Sequence, residues 1–284
     1  VCTPMEGTFR REVSAESRAT ATKVYEYRPA AGQFINEPQS GFAGEQTADA
    51  AVAYAQKRLE GEKYVSLGGW GGYLVVGFDH SVVNSGDYDF SIAGNMHEGS
   101  SEAGIVWVMQ DANGNGLPDD VWYELRGSEW GTENHSRGYA ITYYRPAAAG
   151  MGVQWRDNRG ATGTLRRNAT HTQEFYYPAW EESSFTLYGS RLEANTEVDP
   201  TTGNQVNRAY AWGYADNQGS DSDAGTAGEA VRNYFKISSA VAADGSAADL
   251  QYIDFVKVQS AINFVAGALG EISTEVLAIR DENM

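Results

Sequence analysis

Oxygen-bearing side chains are concentrated in the stretch from Asp111 to Asp120, at a spacing that is typical of calcium-binding loops. These side chains belong to Asp111, Asn113, Asn115, Asp119 and Asp120. A calcium ion takes about six to eight oxygen ligands from a tightly folded loop. Gly116 can adopt the positive φ of a sharp turn, and Leu117 lies where such loops commonly offer a backbone carbonyl. We therefore predict a Ca²⁺ site formed by the five side chains and the carbonyl of Leu117.

This stretch differs from a full EF-hand in two respects. Its twelfth position is Trp122 rather than glutamate, so the usual bidentate ligand is missing. The flanking segments Gly104–Met109 and Val121–Leu125 are apolar and partly β-branched, which predicts strands rather than helices. The last ligand must then come from elsewhere, and the candidates are Glu102, Asp79, Asp87 and Asp89. The alternative is a polar hairpin without metal, because Asn-Gly is itself a strong turn signal.

Aromatic residues near turns are candidates for ligand binding. Trp70, Trp130 and Trp180 each neighbour a turn or an irregular segment, and His171 opens the aromatic segment that ends at Trp180. Indole and phenol rings offer flat apolar faces with a polar edge, which suit sugar rings and other flat ligands. Packing in the core is the alternative for each tryptophan, and a packed corner fits the glycine-rich surroundings of Trp70 equally well.

Catalytic signatures are weak in this sequence. It contains no Gly-x-Ser-x-Gly elbow and no phosphate-binding glycine loop, and its four histidines never recur at zinc-binding spacing. A glycosidase needs two carboxylates across a cleft, and no pair stands out among the 38 acidic residues. The acidic residues near aromatics are Glu102, Glu124, Glu129 and Glu181. The sequence therefore favours binding over catalysis.

The charge balance narrows the class of partner. The formal net charge is −17, from 21 basic and 38 acidic residues. Nucleic-acid binding requires clustered lysine and arginine, which this sequence lacks, so we expect no nucleic-acid partner. The surplus of carboxylates fits cation binding instead. No run approaches the ~18 apolar residues of a membrane span, so no transmembrane segment is expected.

Cys2 is the single cysteine, so no disulfide can form within this sequence. The fold must then depend on its core and on any metal that it binds. Because Cys2 lies so near the first residue, it is a candidate lipid-anchor site. Val1 is not the small residue that normally precedes such a cysteine.

Short alternating or β-branched runs recur along the chain, and we count about a dozen candidate strands. One helix is predicted over Ala48–Leu59, with Thr47 as its N-cap and Gly61 at its end. Parallel sheets need crossover connections, usually helices, and the sequence shows no such series. It therefore predicts a mostly-β fold, an antiparallel two-sheet sandwich of jelly-roll type with long loops and one short helix.

The sequence also predicts how the chain is divided into a tail and a domain. Residues 1–22 are small and polar with mixed charge and predict an N-terminal tail or linker, and residues 23–284 predict a single β-sandwich domain. Ala209–Tyr214 is strand-like and leads into a second acidic loop, Asp216–Asp223. We interpret that loop as flexible rather than metal-binding, because its spacing is looser and its residues are small.

Several stretches resemble a family of bacterial surface proteins. They are Leu67–His80, Tyr88–Phe90, Gly94–Asn95, Ser101–Val106, Asp111–Leu125, Gly127–Glu129, Ile141–Tyr144, Trp212–Asn217, Ile253–Val258 and Gly270–Val276. Proteins of this family occur in gut-dwelling Gram-negative bacteria, often with immunoglobulin-like (PKD-type) repeats before the domain. The chain departs from the pattern at Ala103, where the family tends to have proline, and at Trp70, where phenylalanine is usual.

The resemblance implies an outward-facing outer-membrane or secreted location, and capture of nutrients beside outer-membrane uptake systems, including those for corrinoids. Together with the loop and the aromatics, it leads us to expect a non-catalytic, calcium-stabilised surface domain. Such a domain would capture a glycan or another nutrient ligand, with an outer-membrane transporter as a candidate partner. Two alternatives stay open: a corrinoid (cobalamin)-binding accessory protein, and a glycoside hydrolase or lyase that uses a carboxylate pair.

Overall fold

The computed structural model describes residues 9–223, 230–267 and 270–284. Within these ranges the chain forms seventeen β-strands and one α-helix, and every pairing between strands is antiparallel. The mostly-β, antiparallel prediction is therefore confirmed. No helix in the described part is long and apolar enough to cross a membrane.

The elements follow one another along the chain with loops of very different length. In order they are β1 (Lys23–Arg28), α1 (Ala48–Glu60), β2 (Val65–Ser66), β3 (Tyr73–Val83), β4 (Phe90–Ala93), β5 (Gly104–Met109), β6 (Tyr123–Leu125), β7 (His135–Tyr144), β8 (Val153–Asp157), β9 (Thr162–Leu165), β10 (Ser184–Leu192), β11 (Thr196–Val198), β12 (Gln205–Asn207), β13 (Arg232–Phe235), β14 (Ala240–Val241), β15 (Tyr252–Ser260), β16 (Glu275–Val276) and β17 (Ala278–Asp281). Single turns of 3₁₀ helix cover Pro38–Ser40 and Ile237–Ser239.

The predicted helix is confirmed and extends one residue beyond the predicted end. Thr47 has an extended backbone, and its hydroxyl accepts the backbone N–H of Ala50, as an N-cap does. Ala51 and Ala55 are buried, and the helix packs on β1. Small side chains on this face allow the helix to lie close to the sheet.

The largest sheet has six strands in the order β1-β3-β15-β5-β6-β14. A three-stranded sheet, β13-β4-β17, shares a hydrophobic core with it: Val76 and Val106 of the large sheet pack in the same cluster as Phe90 and Ile279 of the small one. Two sheets that bury their apolar faces against each other form a sandwich. The structure also contains further sheets, so the described strands are not confined to two.

The four-stranded sheet, β10-β7-β8-β9, has a core of its own. Trp70 lies at its centre, with its ring edge-on to that of Tyr139 at 4.7 Å between centroids. The hydroxyl of Tyr143 donates to the carbonyl oxygen of Trp70 at 2.8 Å. The glycine-rich turn around Trp70 is therefore a junction between this sheet and the large one.

Residues 9–22 contain no long strand but lie on the domain. Arg11 donates through its guanidinium to Asp254 at 2.9 Å and to the carbonyl oxygen of Phe78 at 3.0 Å, and Ala21 donates to the carbonyl oxygen of Ile279 at 2.8 Å. This part of the predicted tail is docked by specific hydrogen bonds. Cys2 lies outside the described residues.

One local prediction is wrong. The sequence predicts a strand at Ala209–Tyr214, but this segment is irregular and bends over residues 211–213. Gly213 has a φ of +90°, which lies outside the β region of regular strands. Its backbone lies so close to Gly127 that a Cβ would come within 2.4 Å of the Gly127 Cα. The two glycines thus join two loops rather than adding a strand to a sheet.

Candidate metal centre

The Asp111–Asp120 loop connects β5 to β6, as the sequence predicts. Asp111 is buried, and its two carboxylate oxygens accept the backbone N–H groups of Gly114, at 2.7 Å, and Gly116, at 2.9 Å. Gly116 has a φ of +73°, which agrees with the turn expected there. Asp111 is thus the side chain around which the loop folds.

The side-chain oxygens of the other predicted ligands also accept hydrogen bonds from N–H groups of the same loop. The side-chain oxygens of Asn113 and Asn115 accept the backbone N–H groups two residues later, and Asp120 accepts that of Ala112. Asp119 is exposed and accepts from the amides of both asparagines, and Leu117 is largely exposed. The loop is compact and rich in oxygen, and its assignment to calcium stays a prediction.

The four candidates for the last ligand of this loop are engaged elsewhere. Asp79 pairs with His80 at 2.8 Å, Asp87 pairs with Lys236 at 3.0 Å, Asp89 accepts from Ser85 and Ile237, and Glu102 belongs to a separate cluster. The carboxylate that does reach the loop is that of Asp254, on β15, which accepts the backbone N–H of Asp111 at 2.8 Å. Asp254 was not among the predicted residues.

A different group of carboxylates has the geometry of a metal site. Glu102, Asp216 and Glu275 each offer an oxygen, and these oxygens all lie within 4.8 Å of one another. Asp216 and Glu275 are fully buried, whereas Glu102 is half-buried. Hard cations bind such clusters of oxygen ligands. Among the described residues no lysine, arginine or histidine forms an ion pair with any of the three.

Backbone hydrogen bonds hold the cluster together. The carboxylate of Asp216 accepts the N–H of Asn95 at 3.1 Å and that of Glu275 at 2.9 Å, while its carbonyl oxygen accepts the N–H of Glu102 at 2.9 Å. Asp216 also has a φ of +52°, an uncommon conformation for a residue with a side chain. Gly94 leaves room for the carboxylate, since a Cβ there would lie 2.5 Å from it. These backbone contacts fix the position of Asp216 and of its carboxylate.

Asn95 brings a fourth polar group to this cluster from the surface. The atom of its side-chain amide that faces the cluster lies 3.2 Å from Asp216 Oδ1 and 3.3 Å from Glu275 Oε2. With the NH₂ group turned inward, Asn95 donates to both carboxylates. With the carbonyl oxygen turned inward, it adds a neutral oxygen ligand beside three carboxylates. The inward NH₂ group is the orientation that satisfies both carboxylates by hydrogen bonding, and an inward oxygen would require a cation between them.

The electrostatics of the cluster are unfavourable for bare carboxylates. Burial, and then repulsion by Glu275 and Asp216, raises the pKa of Glu102 well above its ordinary value. Burial and repulsion by Glu275 likewise raise the pKa of Asp216 well above its ordinary value. Burial raises the pKa of Glu275 to about 7, although hydrogen bonds from Ser273 and other neighbours oppose the shift. Protons or a cation must therefore offset the negative charge at neutral pH.

Glu271 is a further buried acid near the cluster. One of its carboxylate oxygens accepts the backbone N–H of Gln33 at 2.5 Å, and the other has no hydrogen-bond partner among the described residues. Burial raises its pKa to about 8, and repulsion by Glu275 adds to the shift. Glu271 is thus a fourth acid beside the cluster, and burial disfavours its ionised form as well.

The predicted ligand-binding aromatics lie in several surroundings. Trp70 is only 1% exposed, so the packed-corner alternative describes it and its ring is not available for stacking. Trp130 is half-buried between His135 and Arg137, Trp180 stacks on Phe42 with ring centroids 6.1 Å apart, and His171 packs edge-on against Phe34. The described contacts do not bring these four residues into one site.

The acids considered for catalysis are also engaged. Glu124 is buried between His135, at 2.7 Å, and Ser190, at 2.6 Å. Glu181 pairs with Arg28 at 2.9 Å. Glu129 accepts from Asn134 at 2.9 Å. These contacts are structural in kind, and none forms a pair of free carboxylates across a cleft.

Sequence reasoning missed the cluster for an identifiable reason. Glu102, Asp216 and Glu275 lie far apart in the chain, so their meeting depends on the fold. Asp216 opens the loop that the sequence predicts to be flexible, but it is buried and its carboxylate accepts two backbone N–H groups. The one available signal was that Asp216, Glu102 and Glu275 each lie within a stretch on which the family resemblance rests.

Four of those stretches meet at this centre, namely Gly94–Asn95, Ser101–Val106, Trp212–Asn217 and Gly270–Val276. They converge although they are separated by long segments of chain. The resemblance itself stays an expectation from the sequence. No family model matches the chain, and no curated protein matches it.

Proposed function

We propose that this chain is a non-catalytic binding domain whose loops are held in place by a divalent cation bound at Glu102, Asp216 and Glu275. The observation that supports the proposal is the convergence of three carboxylates within 4.8 Å, two of them fully buried and none paired with a basic group among the described residues. A cation would offset the cost of burying these negative charges, which raises the pKa values of all three groups. It would also tie together four segments of the chain that form no continuous sheet here.

Calcium is the ion that we propose for this centre. The candidate ligands are carboxylate oxygens and the Asn95 amide oxygen, and hard cations prefer such a set. Zinc and copper sites normally include histidine or cysteine, and neither occurs in the cluster. The Asp111–Asp120 loop is a second candidate calcium site, supported by its Asp/Asn spacing and its folded turn.

The biological setting is proposed from the family resemblance. It favours a cell-surface or secreted domain that captures a glycan or another nutrient for an outer-membrane uptake system. Corrinoid capture is the alternative that the same resemblance raises, and titration with cobalamin would test it. Catalysis is not proposed, because the described acids form no free pair across a cleft.

The decisive experiment measures thermal unfolding and bound metal in the same preparations. Protein is treated with chelator, dialysed, and then unfolded with and without added Ca²⁺, while elemental analysis gives the ions bound per chain. An ion at ~100-fold excess over its Kd should add about 2.7 kcal/mol to the free energy of unfolding. The variant Asp216→Asn should lose the part of this gain that the cluster contributes, whereas the exposed-surface control Glu60→Gln should keep the whole gain.

The two candidate sites are separated by a second pair of variants. Glu275→Gln affects only the buried cluster, and Asp119→Asn affects only the Asp111–Asp120 loop. If calcium binds at the cluster, Glu275→Gln lowers the number of bound ions by one. A chain that binds no divalent ion and is not stabilised by calcium would refute the proposal.

A further inference from the structure

A pocket of 420 Å³ lies between the three-stranded sheet and the loops that follow β6 and precede Asp216. Two of its aromatic side chains are unusually open to solvent: Trp212 is 43% exposed and Tyr88 is 42% exposed. Tyr234 contributes a third ring, 5.8 Å from that of Tyr88. None of these three was among the aromatics proposed from the sequence. The pocket thus has the exposed flat faces that Trp70 lacks.

The charged groups that line this pocket are two basic residues, Arg126 and Lys236, and one acid, Asp221, whose carboxylate accepts the backbone N–H of Gly213. Arg126 lines it, is exposed, and has no side-chain partner among the described residues. Lys236 also lines it, lies over the ring of Tyr88 at 4.7 Å, and pairs with Asp87 at 3.0 Å. An unpaired guanidinium beside aromatic faces is notable in a chain whose net charge is −17. Its planar fork fits a carboxylate in bidentate geometry.

The pocket is a preformed part of the fold. The N–H of Ser128 donates to the carbonyl oxygen of Trp212 at 2.9 Å, and the N–H of Gly213 donates to the carboxylate of Asp221 at 2.6 Å. The close approach of Gly213 to Gly127 brings the loop of Trp212 against the loop of Arg126. The loops that carry Trp212 and Arg126 are therefore joined by backbone contacts, and both side chains line the same pocket.

We infer that this pocket binds an acidic sugar, a uronic acid residue of a glycan, with its ring on Trp212 and its carboxylate on Arg126. Sugar rings have an apolar C–H face that packs on indole or phenol rings. The guanidinium of Arg126 would bind the carboxylate of a uronic acid, which a neutral sugar lacks. This inference rests on the proposed binding function and names its ligand class.

The pocket is joined to the proposed metal centre by a short piece of chain. Trp212 and Asp216 are four residues apart, and Ala215, between them, exchanges two backbone hydrogen bonds with Gly104, each of 2.9 Å. The hydroxyl of Tyr214 accepts the N–H of Glu129 at 3.1 Å. A cation that fixes Asp216 would therefore also restrict Trp212. Sugar binding should be tighter in calcium than in chelator.

The test is calorimetric titration of the calcium-loaded chain with trisaccharides of galacturonic, glucuronic and mannuronic acid, each compared with its neutral methyl ester. We expect at least one acid to bind more tightly than its ester. Trp212→Ala should weaken binding of that acid by about tenfold or more. Arg126→Gln should weaken it by about 10- to 100-fold and remove the preference for acid over ester. The control variants Tyr188→Ala and Arg208→Gln change an exposed ring and an exposed arginine outside the pocket and should bind normally.

The inference is overturned if no acid binds, if Trp212→Ala binds as tightly as the parent chain, or if Arg126→Gln keeps the acid preference. Both pocket variants should retain the thermal shift with calcium, which shows that they are folded and that the metal centre is intact. If that shift is absent in the parent chain while Trp212-dependent binding persists, the metal proposal fails and the sugar site stands. If calcium stabilises the parent chain but no acidic sugar binds, the metal proposal stands and the sugar inference fails.

Discussion

The backbone N–H of Glu275 donates to the carboxylate of Asp216 at 2.9 Å, so each of these two buried acids helps to position the other. Glu275 begins β16, and Asp216 lies in a loop with a φ of +52°. The hydrogen bond brings the two carboxylates together in spite of their mutual repulsion. This arrangement is stable only if protons or a cation compensate for the charge.

The first prediction concerns Glu275→Gln, which removes one charge and preserves the shape of the side chain. In chelator at pH 8 this variant should be at least as stable as the parent chain, because it relieves repulsion within the cluster. In calcium it should be the less stable of the two, because it lacks an anionic ligand. Thermal melts under the two conditions check this reversal. A variant that is less stable by the same amount in both would indicate a purely structural role for Glu275.

The second prediction is a pH dependence in the presence of chelator. Burial raises the pKa of Glu271 from 4.5 to about 8, so between these values the folded state holds a proton that the unfolded state has released. The free energy of unfolding should therefore fall as the pH rises through this range, by about 1.4 kcal/mol per pH unit for such a group. Urea unfolding at pH 5, 6, 7 and 8 measures the slope. Glu271→Gln should reduce it, and an unchanged slope would contradict the assignment.

The third prediction concerns the Asp111–Asp120 loop. Asp111→Ala deprives the N–H groups of Gly114 and Gly116 of their acceptors, and we expect a loss of about 1–3 kcal/mol even without calcium. If the loop also binds calcium, the loss will be larger when calcium is present. Urea unfolding in calcium and in chelator separates the two contributions. Equal losses in both would show that the loop is held by hydrogen bonds alone.

The fourth prediction concerns the contact between the N-terminal segment and β15. Arg11 pairs with the fully buried carboxylate of Asp254, which also accepts from Ser81 and from the backbone of Asp111. Arg11→Ala leaves that carboxylate without its cationic partner, and a cost of about 1–3 kcal/mol is expected because Arg11 itself is partly exposed. The matched control is Arg10→Ala, whose only described ion pair is an exposed one with Glu12. Equal effects of the two substitutions would contradict the prediction.

Local patterns predicted the fold class well. The cap at Thr47, the alanine-rich run behind it and the apolar segments that flank the Asp111–Asp120 loop depend on neighbours in sequence, and each is confirmed as a helix or a strand. The strand prediction for Ala209–Tyr214 was wrong because the aromatic residues of this segment alternate like those of a strand. The contact between Gly213 and Gly127 is long-range, and no local pattern reveals it.

The candidate site was harder to predict than the fold. Calcium-loop spacing is local and visible, whereas Glu102, Asp216 and Glu275 meet only after their strands have paired. Exposure is equally invisible in the sequence: Trp70 is buried in a core, and Trp212, which was not selected, is open to solvent. Both differences follow from tertiary packing, which determines where a side chain points and what lies over it.

The pairing of β15 with β3 and β5 also affects how the protein is made. β15 begins about half of the chain after β5 ends, yet it lies between β3 and β5 in the large sheet. Such non-local pairings close late and slow the folding of a domain. During synthesis, the large sheet cannot be completed before β15 has been made. The cluster of Glu102 and Asp216 likewise cannot be completed before Glu275 has been made. Ion capture would therefore be among the last events of folding, and it would favour chains whose C-terminal strands have already reached their place.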